Sequence, residues 1–270
     1  MSAYAEKLAR LERALGELPS LAVAFSGGVD SGVLLHAARA RLGAGAAGVI
    51  ADSPSLPRQE LAEARALAAQ IGARLVVLAT HELDDPRYRA NSGDRCYHCK
   101  SALFAALLPW ARAQGFAHVA FGEIADDLLD DRPGARAARE RGVRAPLAEA
   151  GFTKDDVRRY AREHGLRVAD KPASACLASR LPVGTAVTRE RLARVEAAES
   201  QLRRLGFRVL RVRDHGSLAR VELGRDELAR GQRERAGLEA AVRAAGFSAV
   251  EVTAYVPPAE RAAAPGNPLG

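Results

Sequence analysis

At 270 residues, with 48% hydrophobic and 27% charged side chains, the chain has the composition of a soluble globular protein of one large or two modest domains. No apolar run reaches membrane-spanning length and the first residues, Met1 to Lys7, contain no apolar signal core, so a cytoplasmic protein with no membrane partner is expected. The net charge of +7 is carried mainly by Arg interleaved with Glu, with Lys only at 7, 100, 154 and 171. That pattern is not a lysine-rich phosphate-backbone tract, so nucleic acid is not expected as a partner, although a basic surface would attract an anionic nucleotide.

In chain order, Tyr4, Leu8, Leu11 and Leu15 space a helix over 3–17. Strand 21–25 then precedes helix 31–42, strand 47–51 precedes helix 58–71, and strand 74–79 precedes a helix near 97–114. Strand 117–121 closes the series. Repeated strand–helix units imply an α/β fold, a doubly wound parallel sheet with helices on both faces. Ligands of such sheets bind beyond the carboxyl ends of the strands, which is where Ser26 and the turn Ala51-Asp52-Ser53 fall. Residues 123–150 read as loop. Thr153-Lys154-Asp155-Asp156 then starts a helix to about His164, with a Thr cap and an acidic first turn. Residues 170–187 read as loop, 188–205 as helix, 207–213 and 217–223 as strands, 225–245 as helical and 248–253 as strand. The expected organisation is therefore a nucleotide domain over 1–184, a smaller C-terminal α+β domain over 185–256 and a disordered Pro/Ala/Gly-rich tail over 257–270.

The most informative segment is Ser26-Gly27-Gly28-Val29-Asp30-Ser31, set between a buried strand and a helix. Glycines let backbone N–H groups approach phosphate oxygens, and the helix N-terminus adds partial positive charge. The segment lacks the G-x-x-x-x-G-K-[ST] pattern of a Walker A loop and its Lys. It resembles the SGGxDS pyrophosphate loop of the ATP-pyrophosphatase superfamily, whose members cut ATP between the α- and β-phosphates. A second signal is Asp94-Arg95-Cys96-Tyr97-His98-Cys99-Lys100, a C-x-x-C pair at a helix start. Alone it fits a metal site, with His98 or His164 able to complete a zinc set, or a redox pair, or no function. A third is Asp170-Lys171-Pro172-Ala173-Ser174-Ala175-Cys176-Leu177-Ala178-Ser179-Arg180. There Cys176 is either a small buried hydrophobe or a thiolate favoured by Lys171 and Arg180. With three cysteines in all, no disulfide framework is expected.

Taken together these segments resemble the LarE family, pyridinium-3,5-biscarboxylic acid mononucleotide sulfurtransferases of nickel-pincer cofactor synthesis. The resemblance runs from Ser26 to about Glu222. It adds Asn91, Arg132-Pro133-Gly134, Pro146-Leu147 with Thr153-Lys154, and Arg211-Val212-Arg213. It implies an adenine-nucleotide α-hydrolase-like domain that adenylates a substrate carboxylate with ATP and Mg²⁺, after which sulfur displaces AMP. Ser26, Gly27, Gly28, Asp30 and Ser31, with Ala51, Ser53 and Gly122, would hold the nucleotide, and Asp126 and Asp127 are weaker Mg²⁺ candidates on a loop. Arg180, Arg211 and Arg213 would bind the phosphate of the mononucleotide substrate; Arg211 and Arg213 alternate on one strand and so share a face, which could equally be a solvated one. The sulfur would come either from Cys176 itself, left as dehydroalanine, or from sulfide on a [4Fe–4S] cluster held by Cys96, Cys99 and Cys176. Three ligands leave one iron open, and the cluster is the favoured route. The sulfide donor is not specified, and a homo-oligomer is expected. Two departures stand out: Ile124 replaces an expected Asn in Gly122-Glu123-Ile124-Ala125-Asp126-Asp127, and Asp131 replaces an expected Tyr in Asp130-Asp131-Arg132-Pro133-Gly134. The alternatives are a tRNA thiolase of the same superfamily and a non-catalytic adenine-nucleotide-binding module.

Overall fold

The computed structural model describes residues 2–129, 132–172 and 175–256, and the chain divides into two units, residues 1–175 and 176–270. In the first, helix α1 (Ala3–Gly16) leads to β1 (Leu21–Ala24), α2 (Val29–Leu42), β2 (Ala46–Asp52), α3 (Arg58–Ile71) and β3 (Arg74–Ala79). A short α4 (Pro86–Arg89) precedes α5 (Arg95–Ala113), β4 (His118–Phe121), α6 (Pro133–Arg139), α7 (Pro146–Glu149) and α8 (Lys154–Glu163). All four residues of β1 are buried, and a strand with no polar face must sit inside a sheet covered on both sides. It does: the strand order is β3-β2-β1-β4, and every pairing is parallel.

Because successive side chains alternate across a strand, β1 feeds two cores. Leu21 and Val23, with Phe25 just beyond, pack with Leu11 and Leu15 of α1, Leu34 of α2, Leu67 of α3 and Val157 of α8. Ala22 and Ala24 face the opposite core, with Phe104 and Leu107 of α5 and Ala135 and Ala138 of α6. The sheet is thus wound on both faces. After β1 the chain builds β2 and β3 to one side and β4 to the other, so the crevice at the carboxyl ends of β1 and β4 is the topological switch point.

Residues 123–150, expected as loop, fold into more than that. A 3₁₀ turn spans Ala125–Leu129, and α6 and α7 follow. Each of those helices opens on a proline, Pro133 or Pro146, whose missing N–H is no loss in a first turn. The tiny side chains of Ala135, Ala137 and Ala138 then bury α6 closely. Thr153 caps α8 as expected, and Asp156 closes the capping box.

The second unit holds a 3₁₀ turn at Leu177–Arg180, α9 (Arg189–Arg204), β5 (Leu210–His215), β6 (Leu218–Leu223), α10 (Leu228–Arg233), α11 (Arg235–Ala244) and β7 (Ala249–Ala254). Its sheet runs β5-β6-β7, antiparallel and then parallel. β5 buries Leu210, Val212 and Asp214 and leaves Arg211 and Arg213 on the other face. It starts three residues later than the hydrophobic pattern suggests, because the Glu227 carboxylate takes the amides of Arg208 (3.0 Å) and Val209 (2.8 Å). The proposed tail, 257–270, lies outside the described residues. No described helix is long and apolar enough to cross a membrane.

Helices α2 and α8 meet through an aromatic cluster. His36 Nδ1 lies 2.9 Å from the Tyr160 hydroxyl, and the His164 ring centroid is 4.7 Å from that of His36. Burial, and then the charge of His164, push the His36 pKa down; burial pushes Tyr160 up to about 12. Since His36 titrates below its unfolded value of about 6.5, acidification protonates the unfolded chain first. The stability it contributes is complete above the unfolded value and is lost as pH falls through the folded one. The urea midpoint is therefore expected to fall between about pH 7.5 and about pH 5.5, and less steeply in His164→Gln. Equal slopes in the two proteins would contradict this electrostatic coupling.

Candidate active site

At the switch point the chain leaves β1 and turns sharply. Gly27 has φ +73°, and a Cβ there would lie 2.7 Å from Cβ of Ala64 on α3, so only glycine fits. Ser26 and Ser31 lock the loop on itself: their hydroxyls are 3.0 Å apart, and Ser31 Oγ also accepts the Ser26 amide (3.1 Å) and donates to Gly28 O (3.2 Å). Gly28 caps α2, which starts at Val29, two residues earlier than the apolar spacing indicated. Asp30 and Ser31 consequently stand in its first turn, where the amides of Val29, Asp30 and Ser31 have no intrahelical carbonyl to bond. From β4, Gly122 closes the other wall. A Cβ on it would come within 2.7 Å of the Ser31 nitrogen and 3.0 Å of the Asp30 carbonyl carbon. The fold thus brings Ser26, Gly27, Gly28, Asp30, Ser31 and Gly122 together as a cradle of amides suited to an anion. Ala51 and Ser53 stand at the carboxyl end of the adjacent β2, where Ser53 Oγ accepts the Ser55 amide (3.2 Å) and Asp52 pairs with Arg58 (2.6 Å).

The carboxylates around the cradle are engaged. Lys154 Nζ sits 2.8 Å from each oxygen of Asp30. Asp126 Oδ2 accepts the Lys154 amide (2.7 Å), while Asp127 accepts the Ile124 amide (3.3 Å) and pairs with Arg132 (2.5 Å). Both expected Mg²⁺ candidates therefore hold loop and helix backbone in place. Ile124, found where an Asn was expected, is buried in the core that also holds Val23. Asp130 and Asp131 lie outside the described residues. Glu123, next to Gly122, is 3% exposed; burial pushes its carboxyl pKa up despite Arg139 at 3.5 Å. Neither the Lys154 to Asp30 pairing nor the burial of Glu123 was foreseen. Lys154 and Asp30 are 124 residues apart, and no local pattern links them.

Helix α5 begins at Arg95, with Cys96 exposed and Cys99 half-buried. Three residues apart on one helix, the thiols share a face, and soft thiolate donors of that spacing suit iron or zinc. His98 is a poor fourth ligand, because its ring nitrogens face Asp94 (3.1 Å) and Asp85 (3.8 Å), and His164 packs on His36 and Tyr160. Asn91, buried at φ +53°, fixes the approach to α5 by accepting from Arg95 (2.5 Å). Among the described residues no group of three or more His, Cys, Asp and Glu side chains is gathered as a ready metal centre.

In the second unit the backbone carbonyl of half-buried Cys176 accepts from the Ser179 hydroxyl (2.7 Å) and from Arg180 Nη1 (3.1 Å). Ala173 and Ser174 lie outside the described residues. Arg180 is 2% exposed and forks onto Glu199, itself 0% exposed, at 2.9 and 3.3 Å. Burial pushes the Glu199 carboxyl up, but the charges of Arg180 and Arg203 outweigh it and hold it below the usual range. Arg213 pairs with Glu222 (2.8 Å) and donates to Ser179 O (2.9 Å). On the same strand face, Arg211 packs over the Tyr255 ring at 5.4 Å; burial and the charge of Arg180 lower its pKa. The three arginines expected to bind phosphate thus gather around the turn that begins at Cys176. Glu199, which steadies one of them, was overlooked, though it interrupts the apolar stripe Leu192, Val195 and Leu202 of α9, all buried.

No family model matches the chain. It is 40% identical over 224 residues, 83% of its length and 81% of the other's, to the pyridinium-3,5-bisthiocarboxylic acid mononucleotide synthase of Lactiplantibacillus plantarum. The chain belongs to this LarE family. Uncharacterised proteins of Synechocystis sp. (46% over 222 residues, 82% of this chain and 83% of the other) and Methanocaldococcus jannaschii (28% over 229 residues, 83% and 86%) are also similar.

For this LarE-family chain, Gly122→Ala tests the cradle. The added methyl would meet fixed backbone at 2.7 Å, and such overpacking costs about 1–3 kcal/mol. The variant is expected to fold but to bind adenine nucleotide at least about ten-fold more weakly by calorimetric titration, since the first turn of α2 must shift. Unchanged affinity would remove Gly122 from the wall of the site.

Proposed function

We propose that the chain is an ATP-dependent sulfurtransferase that converts the carboxylates of pyridinium-3,5-biscarboxylic acid mononucleotide to thiocarboxylates for a nickel-pincer cofactor. The observation that carries this reading is the Ser26–Ser31 cradle at the switch point, closed by Gly122 and without a Walker lysine. In the first half-reaction a carboxylate oxygen of the substrate attacks the α-phosphorus of ATP. The bond from that phosphorus to the bridging oxygen breaks, and pyrophosphate leaves with the electron pair. The α2 amides are fixed donors for the charge that develops on the leaving group, and fixed donors need no reorganisation as the reaction proceeds. Bound Mg²⁺ would neutralise phosphate charge, with Asp30 the carboxylate placed to order its water shell.

In the second half-reaction sulfide sulfur attacks the acyl carbon, the bond to the AMP oxygen breaks, and a thiocarboxylate remains. Arg211 and Arg213 would present guanidinium charge to the mononucleotide phosphate, Arg213 while its own fork pairs with Glu222, and Arg180, held by Glu199, would stand beside them. For the sulfur the reading rests on the sequence: Cys96, Cys99 and Cys176 supply the three thiolates of a [4Fe–4S] cluster whose open iron would carry sulfide.

Incubation with ATP, Mg²⁺, the biscarboxylate mononucleotide and sulfide, without oxygen, is expected to give AMP and pyrophosphate, and Asp30→Ala to abolish both. Formation of ADP and phosphate instead would overturn this reading.

A further inference from the structure

Between α1 and α2 the first unit holds a cavity of about 430 Å³. Its apolar wall is made by Leu8 of α1 and by Ala37 and Ala40 of α2, with the buried Tyr160 of α8 beside them. Ala37 and Ala40 come two to three turns after Val29, roughly 12–16 Å along the helix axis, so the cavity is separate from the cradle. Three charged groups also line it, Glu12, Arg13 and Arg41, and among the described residues none of the three has an ion pair or a side-chain hydrogen bond. Elsewhere on the surface Arg and Glu pair with each other, as Arg159 with Glu163 and Arg230 with Glu234. We propose that this cavity binds a free hydrophobic α-amino acid, with its side chain against Leu8, Ala37 and Ala40, its carboxylate on Arg13 and Arg41, and its ammonium on Glu12. The proposal does not depend on the reading of the cradle.

The ligand class follows from the lining taken as a whole. The volume falls within the range of about 300–1,000 Å³ usual for small-molecule sites, ample for a leucine or phenylalanine and its charged end. The Tyr160 hydroxyl is occupied by His36 Nδ1 at 2.9 Å, so the ring adds apolar surface to the wall. Arginine forks match the plane of a carboxylate, and a glutamate is the complementary acceptor for an ammonium. A ligand with a carboxylate alone would bring negative charge up to Glu12. A neutral apolar ligand would cover all three charges and pair none of them, which is costly. A zwitterion with an apolar side chain answers every group in the lining. Arg41 is also held ready: it reaches from α2 onto the last residue of α1, where a Cβ on Gly16 would stand 2.6 Å from its Nε.

The test is a titration of the full-length, nitrogen-15-labelled protein with L-phenylalanine, L-phenylalanine methyl ester and 3-phenylpropionate, followed by amide chemical shifts. Phenylalanine is expected to saturate one site with a Kd of about 1 mM or tighter, its shifts centred on α1 and the second half of α2. The ester, which lacks the carboxylate, and the propionate, which lacks the ammonium, should each bind about ten-fold more weakly. Glu12, Arg13, Ala40 and Arg41 are all exposed on helices, so substitutions there leave the fold in place. Glu12→Gln and the double change Arg13→Gln with Arg41→Gln should each weaken phenylalanine about ten-fold, and Ala40→Phe, which fills the cavity, should abolish binding. No saturable shifts up to about 10 mM phenylalanine, ten times the weakest affinity expected, would overturn the proposal. So would shifts centred elsewhere, undiminished binding to Ala40→Phe, or 3-phenylpropionate binding as tightly as phenylalanine.

Discussion

The first turn of α2 rests on bare backbone at Gly122, and the candidate chemistry depends on that contact. An anion cradle needs unbonded amides held inside a protein, where unbonded amides are costly. The fold meets the requirement by fixing the turn from outside rather than bonding its N–H groups. β1 is anchored by cores on both faces, Gly27 admits α3 within a methyl's reach, Gly122 admits β4, and the Ser26 and Ser31 hydroxyls bind the loop to itself. What is left is the set of first-turn amides that a helix does not bond itself.

Electrostatics in the second unit follow a different logic. Taking Arg180 and Glu199 out of water is expensive, and a buried pair seldom stabilises more than an apolar pair of the same shape. The pair does fix position: Glu199 also accepts the Val212 amide at 3.1 Å and meets Arg203 at 3.1 Å, so α9, β5 and the turn after Cys176 are held to one arrangement. Arg211 and Arg213 stand on the neighbouring strand face, and burial, and then the charge of Arg180, lower the pKa of Arg211.

Much of the first unit was readable in advance because its signals are local. Four short apolar runs, three of them followed by helical spacing, lead to a parallel sheet, and the Ser/Gly-rich hexapeptide falls between a strand and a helix wherever the rest of the chain goes. The missed elements depend on packing. Alanines in α6 carry little amphipathic signal and become helical against α5, while Ile124 is explained only by the core it enters. Asp30 with Lys154, and Arg180 with Glu199, are partners that only the fold brings together. The start of β5 was misplaced because a carboxylate from a distant turn, Glu227, took the amides that the hydrophobic pattern assigned to a strand.

Activation of a carboxylate by attack on the α-phosphorus has a signature no other use of the cradle shares. If the biscarboxylate substrate carries oxygen-18 in its carboxyl groups, one labelled oxygen should appear in the phosphate of AMP for each thiocarboxylate formed, and none in pyrophosphate. Mass spectrometry of the two products after complete conversion reads this directly. AMP free of the label, or the label in pyrophosphate, would contradict carboxylate adenylation.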